Sequence, residues 1–227
     1  MVTVAQARPS DRALFIRRTY LHLAGAVGAF IGVEYLLFLT GIAAALTNFL
    51  AGSRFIWLAI LGGFALLGWF ARSLIARAKS GEQQYVGLGL YVVGEAIIFA
   101  PLLYIAAYYS SPDVIPTAAV LTLLLFGGLT AIAFTTKADF SFLRGFLTIG
   151  GFVALGLIGC SILFGFTLGL LFSAAMVVFA SVAILYDTSK VMHHYAPHQH
   201  VAAALELFAS VALLFWYVLR IVMATRR

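Results

Sequence analysis

The chain has 227 residues, 63% of them hydrophobic and only 10% charged, with a net charge of +6. A soluble domain runs about 25% charged, so most of this apolar surface must meet lipid rather than water. The single cysteine, Cys160, excludes an intrachain disulfide, and the basic excess lies between apolar runs, where it orients a membrane protein rather than binding nucleic acid.

Residues 1–18 carry Arg8, Arg12, Arg17 and Arg18 and read as a cytoplasmic N-terminal segment. Residues 19–227 read as one membrane domain. Seven apolar runs follow, at about 20–40, 55–76, 85–109, 114–135, 143–163, 166–192 and 200–223. Each reaches about the 20 residues that a spanning helix needs. The first is too long for a signal peptide and six more follow, so it reads as a retained span. Turn residues or charge mark the breaks at 48–54, 77–82, 110–113, 137–139 and 195–199, with Pro112 and Pro197 in two of them. The break near Phe164 and Gly165 is the weakest. The expected architecture is an all-α integral membrane protein, a bundle of seven transmembrane helices. Gly28-x-x-x-Gly32 and Gly165-x-x-x-Gly169 read as close helix contacts within a monomer. No internal repeat supports a transporter.

Lys and Arg set the orientation. With the N-terminus in the cytoplasm, that side holds Arg8, Arg12, Arg17, Arg18, Arg72, Arg77, Lys79, Lys137, Arg144 and Lys190. The far side holds Arg54, Arg226 and Arg227.

Four acids fall inside the runs, where an ionisable group marks a functional site by default. Glu34 lies toward the outer end of the first run. Glu95 lies near the middle of the third, with Pro101 six residues on; it is either simply buried or lines a polar ion path. Asp187 and Glu206 make the strongest case. They stand ten residues before and nine after Pro197. At ~1.5 Å per residue both lie about 14–15 Å from the turn, on adjacent antiparallel helices. Close carboxylates titrate as a unit and could form a proton-sensitive latch. Ser210, four residues after Glu206, shares its face. The competing reading pairs Asp187 with Arg72, Arg77 or Lys190.

The tip between the last two runs holds His193, His194, His198 and His200. Its spacing matches no zinc signature, and a polar loop is the plainer reading. No enzyme motif appears, and Ser141, Ser161, Ser173 and Ser181 read as helix-bonding hydroxyls, so no enzymatic activity and no cofactor are expected.

Residues 130–147, TAIAFTTKADFSFLRGFL, resemble the link between the fourth and fifth spans of the Bax inhibitor-1 family, in its YccA-like bacterial branch. Residues 183–191, AILYDTSKV, resemble its sixth-span motif, and residues 215–221, FWYVLRI, the close of its last span. The resemblance covers about residues 15–223. It implies a bundle with the last helix central and two aspartates, on spans six and seven, that link pH to a cation path with calcium leak as the activity. The first maps to Asp187. The second maps to Ser210, a departure for which Glu206, one turn away, could substitute. The resemblance also implies a latching arginine on span two, for which Arg72 is the candidate. YccA-like members are further associated with a membrane-bound quality-control protease. The branch implies a bacterial inner membrane. Two readings follow: a pH-sensitive cation leak, in which protonation or calcium binding at Asp187 and Glu206 shifts the bundle between closed and open, or an interaction protein modulating such a protease, which a free N-terminal segment would suit.

The charge count predicts that cysteines placed at Arg8, Lys79 and Lys137 are shielded from impermeant thiol reagents in intact cells. Labelling at position 79 from outside would overturn the orientation.

Overall fold

A computed structural model describes residues 3–53, 55–77, 81–136 and 138–226. Arg54, Lys79, Lys137 and Arg227, used in the charge count, lie outside the described residues. Among the described residues eight α-helices run in chain order: α1 (Pro9–Leu39), α2 (Ile42–Ala51), α3 (Ile56–Arg77), α4 (Gly81–Tyr109), α5 (Val114–Thr136), α6 (Leu143–Phe164), α7 (Gly169–His193) and α8 (His200–Thr225). A 3-10 turn at Val4–Gln6 precedes them. All but α2 are long and apolar enough to cross a membrane. The chain is an all-α integral membrane bundle.

Three details differ from the sequence reading. α1 starts at Pro9, about eleven residues before the first apolar run. Hydropathy marks only the lipid-facing stretch, whereas Pro9 at the first helical turn and Asp11 near the N-terminal end of the dipole start the helix earlier. Next, the expected break at 48–54 is mostly filled by α2, which is too short to span. Gly41, with φ of 75°, turns the chain out of α1 into it.

The two glycine motifs also serve other purposes. A methyl group on Gly28 or Gly32 would meet nothing within 4 Å, so this pair packs against no neighbouring helix in the monomer. Gly165 and Gly169 have φ of 76° and 65° and close the α6–α7 turn. The weakest sequence break is therefore made by left-handed backbone, which hydropathy does not report. Close packing of α3 on α4 falls instead at Gly87 and Gly94, against Ile75 and Leu67.

α8 packs against α1, α3, α4, α5 and α7. α6 reaches it through Ala154, clustered with Met176 and Tyr217. An apolar sequence on every face of α8 thus corresponds to burial on most sides by protein rather than lipid. Two apolar clusters fill the interior. One holds Phe15, Leu23, Tyr91, Val191, Leu205 and Phe208. The other holds Phe99, Leu103, Ile184, Leu214, Leu219 and Val222. Glu95, Asp187 and Ser210 fall between them along α4, α7 and α8, forming a polar layer inside the bundle.

The termini lie at opposite ends. The Val4 N–H donates to the Tyr195 carbonyl at 2.8 Å, placing the N-terminal segment at the α7–α8 turn. Arg226 pairs with Asp113, and its carbonyl accepts a bond from Ser111 Oγ at 3.3 Å, placing the C-terminal end at the α4–α5 turn. The full crossing of α8 follows from these two contacts.

Val4 is fully buried in the first apolar cluster, so the N-terminal residues form a strap and not a free tail. Burying a valine is worth roughly 1.5–3 kcal/mol. Val4→Asp should release the strap while leaving the helical bundle intact, read as faster proteolytic trimming of residues 3–8 with an unchanged helical circular dichroism spectrum.

Candidate functional site

The site is built where α3, α4, α7 and α8 meet beneath the α7–α8 turn. Asp187 is 8% exposed and Ser210 is 7% exposed. Ser210 Oγ donates to Asp187 Oδ2 at 2.6 Å, a short bond of the kind a charged acceptor gives. The sequence argument placed Asp187 and Glu206 at equal depth. The structure gives the direct bond to Ser210, one turn deeper on α8, and turns Glu206 elsewhere.

Glu206 Oε2 accepts from Lys190 Nζ at 2.5 Å. Lys190 stands three residues after Asp187 on α7, and its ammonium lies 5.4 Å from the ring centres of both Tyr186 and Tyr195. Cation–π contact and ion pair together fix this long side chain. The Tyr195 hydroxyl also bonds to Glu206. Burial pushes that hydroxyl well above its ordinary value, and the nearby charges of Glu206 and Asp187 push the same way. Tyr195 is therefore a fixed proton donor across the physiological range. A chain of contacts results: the strap holds the Tyr195 backbone, Tyr195 holds Glu206, and Glu206 holds Lys190.

Arg72 of α3 is the cation facing this layer. Its guanidinium folds back over Gly68, where an added methyl would sit 3.2 Å from Nη1. Its charge acts on Glu95, Asp187 and Tyr195. Glu95 is 2% exposed and is bonded by the Tyr91 hydroxyl one turn before it on α4. A vestibule of about 250 Å³ opens above the layer, lined by Arg72, Gln84, Tyr195, His198, Gln199 and Glu206. Since Glu206 lines it, its floor lies about one helical turn above Ser210.

The remaining expected residues disperse. Glu34 is buried on α1, and neither of its oxygens has a hydrogen-bond partner. It stands apart from the Asp187 group. Arg77 does not line the vestibule that Arg72 lines. The histidines at the tip go to different neighbours. His193 Nδ1 lies 3.0 Å from the Ser189 carbonyl, and His194 Nε2 lies 3.3 Å from Asp139. Among the described residues no three His, Cys, Asp or Glu side chains converge on a metal position. With Glu206 engaged by Lys190, the six to eight oxygens of a calcium cage are not assembled around Asp187. Ser161, Ser173 and Ser181 bond back to carbonyls of their own helices.

Sequence reasoning did not single out Tyr195, Tyr91 or the strap. Only the four-residue spacing of Tyr91 and Glu95 on one helix offered a signal. Asp139, at the centre of the first motif, braces the α5–α6 connection. The Ser141 backbone N–H holds its carboxyl below the usual range, and the adjacent Phe140 N–H donates to Ser189 Oγ of α7 at 2.9 Å.

An α-helical membrane bundle with a buried carboxylate layer is the class this architecture defines. The model of the family described as inhibitor of apoptosis-promoting Bax1 matches residues 12–227, and the chain belongs to that family. It is similar to Bax inhibitor 1 of Schizosaccharomyces pombe, at 28% identity over 228 residues, covering 96% of this chain and 79% of the yeast protein. A Pseudomonas aeruginosa protein is 41% identical over 110 residues, 48% of this chain and about half, 49%, of its own length. A Vibrio cholerae membrane protein is 32% identical over 119 residues, 52% of this chain and 53% of its own.

The Lys190–Glu206 geometry makes the two side chains one unit. Lys190→Met leaves Glu206 without its cation and should destabilise the bundle more than the double variant Lys190→Met/Glu206→Gln. The expected coupling in a double-mutant cycle is about 0.5–3 kcal/mol. Additive effects would show that the pair is not formed in the membrane.

Proposed function

We propose that this chain is a proton-controlled cation leak with calcium as cargo, residing in a bacterial inner membrane with its N-terminus in the cytoplasm. It works as a monomer, without enzymatic activity or a bound cofactor. The observation that carries the reading is the Asp187–Ser210 pair, held inside the bundle one turn beneath a vestibule that contains both Glu206 and Arg72. In the closed state Arg72 faces the Asp187 carboxylate, and its positive charge opposes cation entry. Adding a proton to Asp187 removes the negative charge on which Lys190 and Arg72 act. Ser210 can then switch from donor to acceptor, since a hydroxyl does both. Two arrangements of one polar layer, biased by one proton, are what a gate requires. Cations would pass from the vestibule through this layer. Glu95, bonded to Tyr91 and within the field of Arg72, is the next acid along the interior, and Glu34 would serve nearer the opposite end.

The other reading is a partner protein that modulates a membrane protease. It rests on the family resemblance and would be suited by a free N-terminal segment, whereas Val4 is buried and bonded to Tyr195.

Calcium flux into proteoliposomes across a pH series tests the proposal. A gate governed by one proton changes flux by about threefold per pH unit across its midpoint and approaches about tenfold per unit only beyond it. Asp187→Asn keeps the shape and a bond to Ser210 but cannot titrate, so its flux should be flat with pH. Ser210→Ala should shift the midpoint without flattening the profile. A wild-type protein with no calcium flux at any pH would overturn the leak. An Asp187→Asn protein with the wild-type profile would overturn the gate.

A further inference from the structure

We propose that the groove between α1 and α4 is a site for one anionic phospholipid, with its phosphate on Arg18, beside the His22 and His200 rings, and one acyl chain running toward the bilayer centre. The groove has a volume of about 480 Å³, within the ~300–1,000 Å³ range of small-molecule sites. Its walls are apolar and its floor is made of small residues, Gly25, Ala26 and Ala29 on α1 and Gly89 on α4. From His22 to Val33, both lining residues, α1 rises about 16 Å at ~1.5 Å per residue. That matches one leaflet of a hydrocarbon core ~30 Å thick.

The mouth of the groove differs in character from the floor. His22 and Tyr85 close it together, with rings stacked at 5.4 Å and His22 Nε2 lying 3.1 Å from the Tyr85 hydroxyl. His22 Nδ1 donates to the Arg18 carbonyl at 2.6 Å, which fixes the ring at the helix surface. The His200 ring lies 4.9 Å from that of His22, and its Nδ1 is buried without a hydrogen-bond partner. The charged or titratable groups acting on His200 are His22, Arg18 and His198, all basic. Glu82, one turn before Tyr85, is exposed. The Arg18 charge beside two histidines, at the head of an apolar channel one leaflet deep, complements the charge and shape of an acidic lipid. This site is separate from the Asp187 layer, so the proposal does not depend on ion transport.

Native mass spectrometry of the full-length protein extracted from nanodiscs of phosphatidylglycerol and phosphatidylcholine tests it. The wild type should retain one phosphatidylglycerol in preference to phosphatidylcholine. Arg18→Gln should lower that preference about fivefold, the worth of one basic side chain at an anionic surface. Gly25→Leu, which fills the groove, should abolish retention of both lipids. Gly28→Leu, on the same helix with open space around it and outside the groove lining, should retain lipid as the wild type does. The same thermal midpoint for the two leucine variants would show that loss of lipid is not loss of fold, and Ala29→Leu repeats the test at a second position. Equal retention of the two lipids by the wild type would overturn the proposal, as would retention by both Gly25→Leu and Ala29→Leu. Displacement of the lipid by excess inorganic phosphate alone would assign the cluster to a free anion. A dimer that forms in place of lipid binding and is lost in Gly25→Leu would assign the groove to a second copy; either result overturns the lipid site.

Discussion

Everything at the centre of this protein depends on keeping one carboxylate, Asp187, inside a helical bundle. A charged group away from water is costly unless partners offset the lost hydration. The bundle supplies a hydroxyl at 2.6 Å from α8, the field of Arg72 from α3, and Lys190 three residues along its own helix. Each constrains a helix. α8 must present Ser210 to α7, so it sits among the other spans. α3 must bring Arg72 to the same layer, which packs α3 on α4 at the glycines facing Leu67 and Ile75. The two apolar clusters then close above and below the polar layer.

The fold was largely legible because its main determinant is hydropathy. Seven apolar runs of spanning length gave seven long helices with ends near those expected, and the last of them is the central one. What hydropathy misses is backbone chemistry. It shows neither that Pro9 starts α1 well before the apolar stretch nor that left-handed glycines at 165 and 169 turn the chain between α6 and α7. A Gly-x-x-x-Gly pattern is equally compatible with a helix face and with a turn, and only the φ angles tell them apart.

The site was legible in its members and less so in its bonds. Asp187, Glu206 and Ser210 could be named from depth and face and Arg72 from the family resemblance, and the structure brings all four to one region. Depth alone could not choose between Glu206 and Ser210 as the direct partner, because both lie on one face of α8. The deciding residue is Lys190, whose flexible stem reaches Glu206 and takes it from Asp187. Tyr195 stayed hidden for a related reason. A tyrosine in a turn reads as an interfacial residue, and its role appears only once the strap from residue 4 is seen holding its backbone.

That strap gives the site's mouth a property that a set of spanning helices alone would lack. Glu206 lines the vestibule, Tyr195 bonds to Glu206, and the Tyr195 backbone is tied to a segment outside the membrane helices. Contacts of this kind open at lower free energy than packed helix interiors, since they rest on few buried groups and one backbone bond. Val4, the buried anchor of that segment, is therefore the least costly place to loosen the vestibule. The Asp187–Ser210 bond is set deeper, between two packed clusters, so any change in it is felt by both α7 and α8. The outer contact can be made and broken without disturbing the inner one, whereas the inner one cannot change without altering the floor on which the outer one rests.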